Sequence, residues 1–184
     1  MTTASRLLFA LLLSTHTAAT FAGSVNVNSA DSSIANQMYV VNADVEFEFS
    51  DDALDALRSG VALFIDIDFR IKRERRYVWD RKIMSLSRRY RIERHALTDR
   101  YVITDLVTDD RRIYESLTSA IKDLGQLRKV PIAEQTAFDS ASNYRVGLRA
   151  RLDLESLPGP LRPIAYISPS WRMSSGWYQW TLTP

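Results

Sequence analysis

Strict alternation of apolar and polar residues over three long stretches constrains this chain more than any other feature. In residues 38–49, Val41, Ala43, Val45, Phe47 and Phe49 share one parity, and Asn42, Asp44, Glu46 and Glu48 the other. In residues 61–71, Val61, Leu63, Ile65, Ile67, Phe69 and Ile71 alternate with Phe64, Asp66, Asp68 and Arg70. In residues 143–154, Tyr144, Val146, Leu148, Ala150, Leu152 and Leu154 alternate with Arg145, Arg149, Arg151 and Asp153. A strand turns successive side chains to opposite faces, so each stretch reads as a half-buried β-strand. Strands with one wet face belong to antiparallel sheets, because parallel sheets are covered on both sides.

Shorter runs add to the count. Residues 82–94 are extended, with Leu86, Tyr90 and Ile92 on one parity. Residues 100–107, 111–114 and 177–182 read as further strands, and 24–34 as a weak opening strand, diluted by Asn26, Asn28, Ser29 and Asp31. Two short helices are predicted. One follows Ser50, carries Asp51 and Asp52 in its first turn and Arg58 in its last, and stops at Gly60. The other spans 117–127 with Leu117, Ile121 and Leu124 on one side. A helical turn at 164–167 follows the proline-rich stretch 157–163. The expected fold is mainly β: an antiparallel β-sandwich or strongly curved sheet with two or three short helices. With 184 residues, 46% of them hydrophobic, and no linker composition, residues 23–184 read as a single β-rich domain.

Residues 1–22 stand apart. Arg6 precedes the apolar run 7–13, and Thr20 and Ala22 match a small-x-small cleavage pattern. The run is far shorter than the roughly 20 apolar residues a spanning helix needs. A cleavable signal peptide and a periplasmic location are therefore expected, with an uncleaved N-terminal membrane anchor as the alternative. The chain has no cysteine, which excludes disulfides, thiolate catalysis and cysteine-based metal clusters.

Charge is segregated along the chain. Residues 23–69 hold nine acids and one base; residues 70–94 hold eleven bases and three acids. Arginine, which makes planar bidentate pairs with carboxylates and phosphates, dominates the basic set. Two readings follow. In one, the acidic outer faces of 41–49 and 61–69 lie beside arginine-bearing strands and form a cross-strand ladder. In the other, residues 72–91 form an exposed basic surface with aromatics interleaved, fit for an anionic partner. The binding candidates on that second reading are Arg73, Arg75, Arg76, Tyr77, Trp79, Arg88, Arg89 and Trp177. Trp177 is included because it opposes Tyr178, Trp180 and Leu182 in parity, within a C-terminus crowded by Trp171, Trp177 and Trp180. Such a surface suits a protein or an anionic membrane surface; an exported protein is not expected to meet nucleic acid.

No catalytic constellation stands out, and no cofactor or metal pattern is present. His95 is the only histidine beyond the leader, no nucleophile elbow occurs, and the pairs Asp66/Asp68 and Glu46/Glu48 read more simply as solvated or salt-paired faces.

One resemblance runs through the chain. Trp79-Asp80, Tyr90-Arg91-Ile92, His95-Ala96-Leu97 and Arg100-Tyr101-Val102 come first. Leu124-Gly125, Leu157-Pro158, the run Pro160-Leu161-Arg162-Pro163-Ile164-Ala165-Tyr166, Trp171, Trp177-Tyr178 and Trp180 follow. In order and spacing these resemble the proteobacterial exported proteins grouped as domain of unknown function 4390, over about residues 36–182. Tyr77-Val78-Trp79 stands where a more aromatic run is expected. The resemblance implies an envelope protein with a signal peptide, no established activity, and a membrane sensor kinase as a signalling partner. The function expected is a non-enzymatic binding module. The alternatives are an enzyme on envelope polymers using His95 or the paired acids, and a structural or assembly subunit.

Overall fold

A computed structural model of the chain describes residues 22–74, 81–139 and 142–182. The expected leader, all but Ala22, lies outside the described residues, as do Arg75, Arg76, Tyr77 and Trp79.

The alternating stretches become strands with the expected faces. In chain order the elements are β1 (Ser24–Ala35), β2 (Met38–Glu48), α1 (Asp51–Arg58), β3 (Leu63–Arg73), β4 (Arg81–His95), β5 (Arg100–Asp105) and β6 (Arg111–Tyr114). Then come α2 (Leu117–Leu124), β7 (Gln126–Glu134), β8 (Tyr144–Leu152), α3 (Arg162–Ile167) and β9 (Tyr178–Leu182). Pairing is antiparallel throughout. One sheet has the order β1-β2-β7 and the other β6-β5-β4-β3-β8-β9. The fold is thus mainly β and sandwich-like, as the alternation implies.

The two inner faces share one core. Val41, Ala43, Val45 and Phe47 of β2 join the odd-numbered residues Leu63 to Ile71 of β3 and the even-numbered residues Tyr144 to Leu152 of β8 in one buried cluster. On one flank β1 lies against β8 and β9, and the Trp180 indole donates to Ser32 Oγ at 3.2 Å. On the other flank β5 pairs with β4 only from Tyr90 to His95. The first half of β4 therefore has a free edge, facing β7, which pairs with β2 alone.

Both predicted helices form, the first with its predicted cap. Ser50 Oγ accepts from the Ala53 amide at 3.3 Å, and Gly60 takes φ +86 just after α1. Helix α2 ends at Leu124 rather than 127, because Gly125 is pressed against β2. Its carbonyl accepts from Val45 N at 2.9 Å, and a Cβ there would run into the Val45 carbonyl.

The structure corrects the sequence reading at two strands. Residues 126–134, read partly as helix and otherwise left unassigned, form β7. Its alternation is broken because Lys129 adopts φ +50 and the register against β2 shifts between Val41 and Ala43. Opening strand β1 is full length, its polar residues facing the acids of β2: Ser24 donates to Glu48 at 2.8 Å and Ser29 to Asp44 at 3.2 Å. So the acidic face of 41–49 meets hydroxyls and amides, with Asp44 also receiving Arg128 at 2.6 Å. Only the 61–69 face meets an arginine ladder.

Candidate functional site

The site is built on the outer face of the six-stranded sheet, where β3 supplies Asp66, Asp68, Arg70 and Lys72 at successive even positions. Register decides what each meets. Asp66 stands between Arg89 of β4 and Arg151 of β8; Asp68 between Ser87 and Arg149; Arg70 between Ser85 and Gly147; Lys72 between Lys82 and Arg145. The same strand therefore runs from acid at one end to base at the other.

At the acidic end every carboxylate oxygen is engaged. Arg89 Nε donates to Asp66 Oδ1 at 2.7 Å and its Nη2 to Oδ2 at 3.1 Å, a bidentate pair. Arg151 reaches Asp66 Oδ2 at 2.8 Å, and Arg89 also reaches Asp153 at 3.0 Å. The Asp66 side chain is only 2% exposed, so this carboxylate is tolerated inside the protein because two guanidiniums hold it. Asp68 accepts from Arg149 at 2.8 Å, Ser87 at 2.9 Å and Arg151 Nε at 3.3 Å. Burial pushes the Asp68 carboxyl up, but the bonds from Arg149 and Ser87 and the charge of Arg151 outweigh it and hold it below the usual carboxylate range. The bond to Asp66 raises the Arg89 guanidinium above its ordinary value, against the opposing effect of burial. Asp68, held this way, keeps its charge to lower pH than a free carboxylate.

At the basic end the nearest acid, Glu74, is taken up by Arg145. Among the described residues, Arg70, Lys72 and Lys82 form no ion pair with a carboxylate. Arg70 lies over the Trp177 ring at 3.7 Å from its centroid, and Arg149 approaches the same ring at 4.7 Å. Gly147 makes this possible: a Cβ there would stand 3.1 Å from Arg70 Nε and 3.2 Å from Trp177. Burial, then the charge of Arg149, lowers the Arg70 guanidinium from its ordinary value. Arg70, Lys72, Lys82 and Trp177 line an open cavity of about 430 Å³, which the paired Asp68 and Arg149 border.

The sequence candidates separate accordingly. Trp177 and Arg89 both lie on this face, but Arg89 is committed to Asp66 and Asp153. Arg88 stands opposite Ile67 on the other face of β4, turned toward the sheet interior. Arg73, at the end of β3, reaches Asp139 at 3.6 Å. Arg75, Arg76, Tyr77 and Trp79 lie outside the described residues. Sequence reasoning missed Arg70, Lys72, Lys82 and Arg149 as a group, although the parity of β3 was legible; what was missing was which residue of β4 and β8 stands beside each. The exposed His95 contacts Thr98 Oγ1 through Nδ1 at 3.2 Å. Among the described residues, no cluster of three His, Asp or Glu side chains could hold a metal ion. Nor is any helix among them long and apolar enough to cross a membrane.

No curated protein and no solved structure matches the chain significantly. A family model does match, that of the Domain of unknown function (DUF4390), over residues 22–181. The match spans both sheets and all the residues of the outer face, so the chain belongs to the DUF4390 family.

Proposed function

We propose that this is an exported envelope protein acting as a non-enzymatic binding module, and that it receives an acidic segment of a partner protein on the outer face of its six-stranded sheet. One observation carries the reading. Along β3 the acids are consumed by Arg89, Arg149 and Arg151, while Arg70, Lys72 and Lys82 have no carboxylate partner in the cavity that Trp177 lines. A guanidinium held over an indole is pre-oriented, so less side-chain freedom remains to be lost when a carboxylate docks. The concave shape of the site favours a protruding acidic segment over a flat lipid surface. The periplasmic part of a membrane sensor kinase is the partner this family resemblance suggests.

The test measures binding of the mature chain to that periplasmic domain, to an Asp/Glu-rich dodecapeptide, and to vesicles containing an anionic phospholipid. Binding to either protein probe should weaken several-fold as salt rises past the range where the screening length falls to about 10 Å. Binding to vesicles alone would replace the protein partner with a membrane. Absence of binding to all three at low salt would end the proposal.

A further inference from the structure

The flank of the sandwich between β4 and β7 holds a second, separate feature. Where β5 ends, the free half of β4 faces β7 across an open cleft of about 380 Å³. Its walls combine apolar Leu124, Leu127 and Val130 with the cations Arg88, Arg112, Arg128 and Lys129 and the acids Asp105 and Asp123.

Two of those cations are already satisfied. Arg112 is bound to Asp123, and Arg128 to Asp44 at 2.6 Å. Arg88 is not. Its side chain is 13% exposed, yet its guanidinium makes no hydrogen bond among the described residues, and its Nε is buried without a partner. Its nearest carboxylate is Asp105, at 3.9 Å, beyond hydrogen-bond length. Asp105 turns Oδ1 to its own loop, accepting from Val107 N at 2.8 Å and Thr108 N at 3.3 Å, and presents Oδ2 to Arg88. A guanidinium carries five donors in a fixed fork, and desolvating them unpaired is costly. Lys129 adds an independent sign. It takes the left-handed φ of +50, unusual for a lysine, with its amide held by Asn42 Oδ1 at 3.0 Å. Lys129, a cation without a carboxylate partner, lines the same cleft as Arg88.

We propose that this cleft binds a small organic oxyanion, a phosphate- or carboxylate-bearing molecule, with Arg88 as the anchoring donor and Lys129 as the second charge. The guanidinium fork matches two oxygens of such a group, and the apolar wall accommodates a short carbon body. Asp105 sets Arg88 in place without saturating it.

The test is titration of the mature chain with inorganic phosphate, phenyl phosphate and benzoate, followed by calorimetry and by the ¹⁵N resonance of the Arg88 side chain. Saturable binding that moves the Arg88 Nε signal is expected, with phenyl phosphate or benzoate tighter than phosphate. Arg88→Gln should lose at least tenfold in affinity. Should that variant fail to fold, Lys129→Gly, which suits the left-handed backbone, should weaken binding several-fold with the fold kept. Binding that survives both substitutions, or that is lost instead in Arg70→Gln on the outer face, would overturn the assignment. So would an Arg88 signal that no probe moves.

Discussion

Arg88 and Arg89 are consecutive in β4 and live in opposite electrostatic worlds. Arg89 grips Asp66 in a bidentate pair at 2.7 and 3.1 Å on the outer face, while Arg88 faces the sandwich interior with Asp105 no nearer than 3.9 Å. One residue of register turns a finished ion pair into an open donor. Asp66→Ala should therefore cost more than a surface substitution. It removes bonds from two guanidiniums to a carboxylate that was 2% exposed, but Arg89 keeps Asp153 and Arg151 keeps Asp68, so the loss is about 1.5–3 kcal/mol, that of a charged hydrogen bond. Urea unfolding checks this; a loss below about 1 kcal/mol would mean that Arg89 and Arg151 relax to solvent freely.

Acid stability should depend on Asp68. Its folded carboxyl is held below the unfolded value of about 3.9, so it contributes stability above that value and loses it as pH falls through the folded one. Unfolding midpoints should drop from about pH 4 downward, and Asp68→Asn should be less stable at neutral pH but flatter across that window. Parallel curves for the two proteins would contradict the assignment.

The alkaline limb should be set in part by Tyr114. Burial, then its bond to Asp123, pushes its hydroxyl up to about 12. A folded value raised above the unfolded value of about 10 adds stability that is intact below pH 10 and is lost as pH rises toward 12. Tyr114→Phe should show a shallower decline over that interval in thermal unfolding, and ultraviolet titration of the parent should show a tyrosine ionising late.

Gly147 should prove irreplaceable for packing rather than for backbone freedom. A valine there would collide with Arg70 and Trp177, both of which already lie within 3.2 Å of the position of a Cβ. Gly147→Val should destabilise by about 1–3 kcal/mol and, by lifting Trp177 off Arg70, weaken partner binding. Calorimetry with the acidic peptide measures both effects in one series.

What was legible in the sequence is tied to uninterrupted parity. Strands β2, β3 and β8 keep one apolar face that is buried along its length, with Val40, Asp66 and Gly147 buried on the opposite parity as well. Strand β7 escaped because the left-handed Lys129 shifts its buried set from Leu127 to Val130 and then Ile132 and Ala133, which matches neither helix nor strand period. The separation of Arg88 from Arg89 was within reach, since Leu86, Tyr90 and Ile92 place Arg88 on the core side. Composition pulled the two together into one basic surface instead. The vacancy around Arg70, Lys72 and Lys82 could not be read without register, because it depends on Gly147 and Ser85, not an acid, standing on either side of Arg70.

The account rests on the outer face being the binding surface, and charge reversal there tests it most directly. The double variant Lys72→Glu with Lys82→Glu alters two half-exposed or exposed cations that no carboxylate needs, so the fold should be kept. Measured against the acidic peptide and the sensor-kinase domain at low salt, its affinity should fall at least tenfold with an unchanged thermal midpoint. Wild-type affinity in the well-folded double variant would contradict the account.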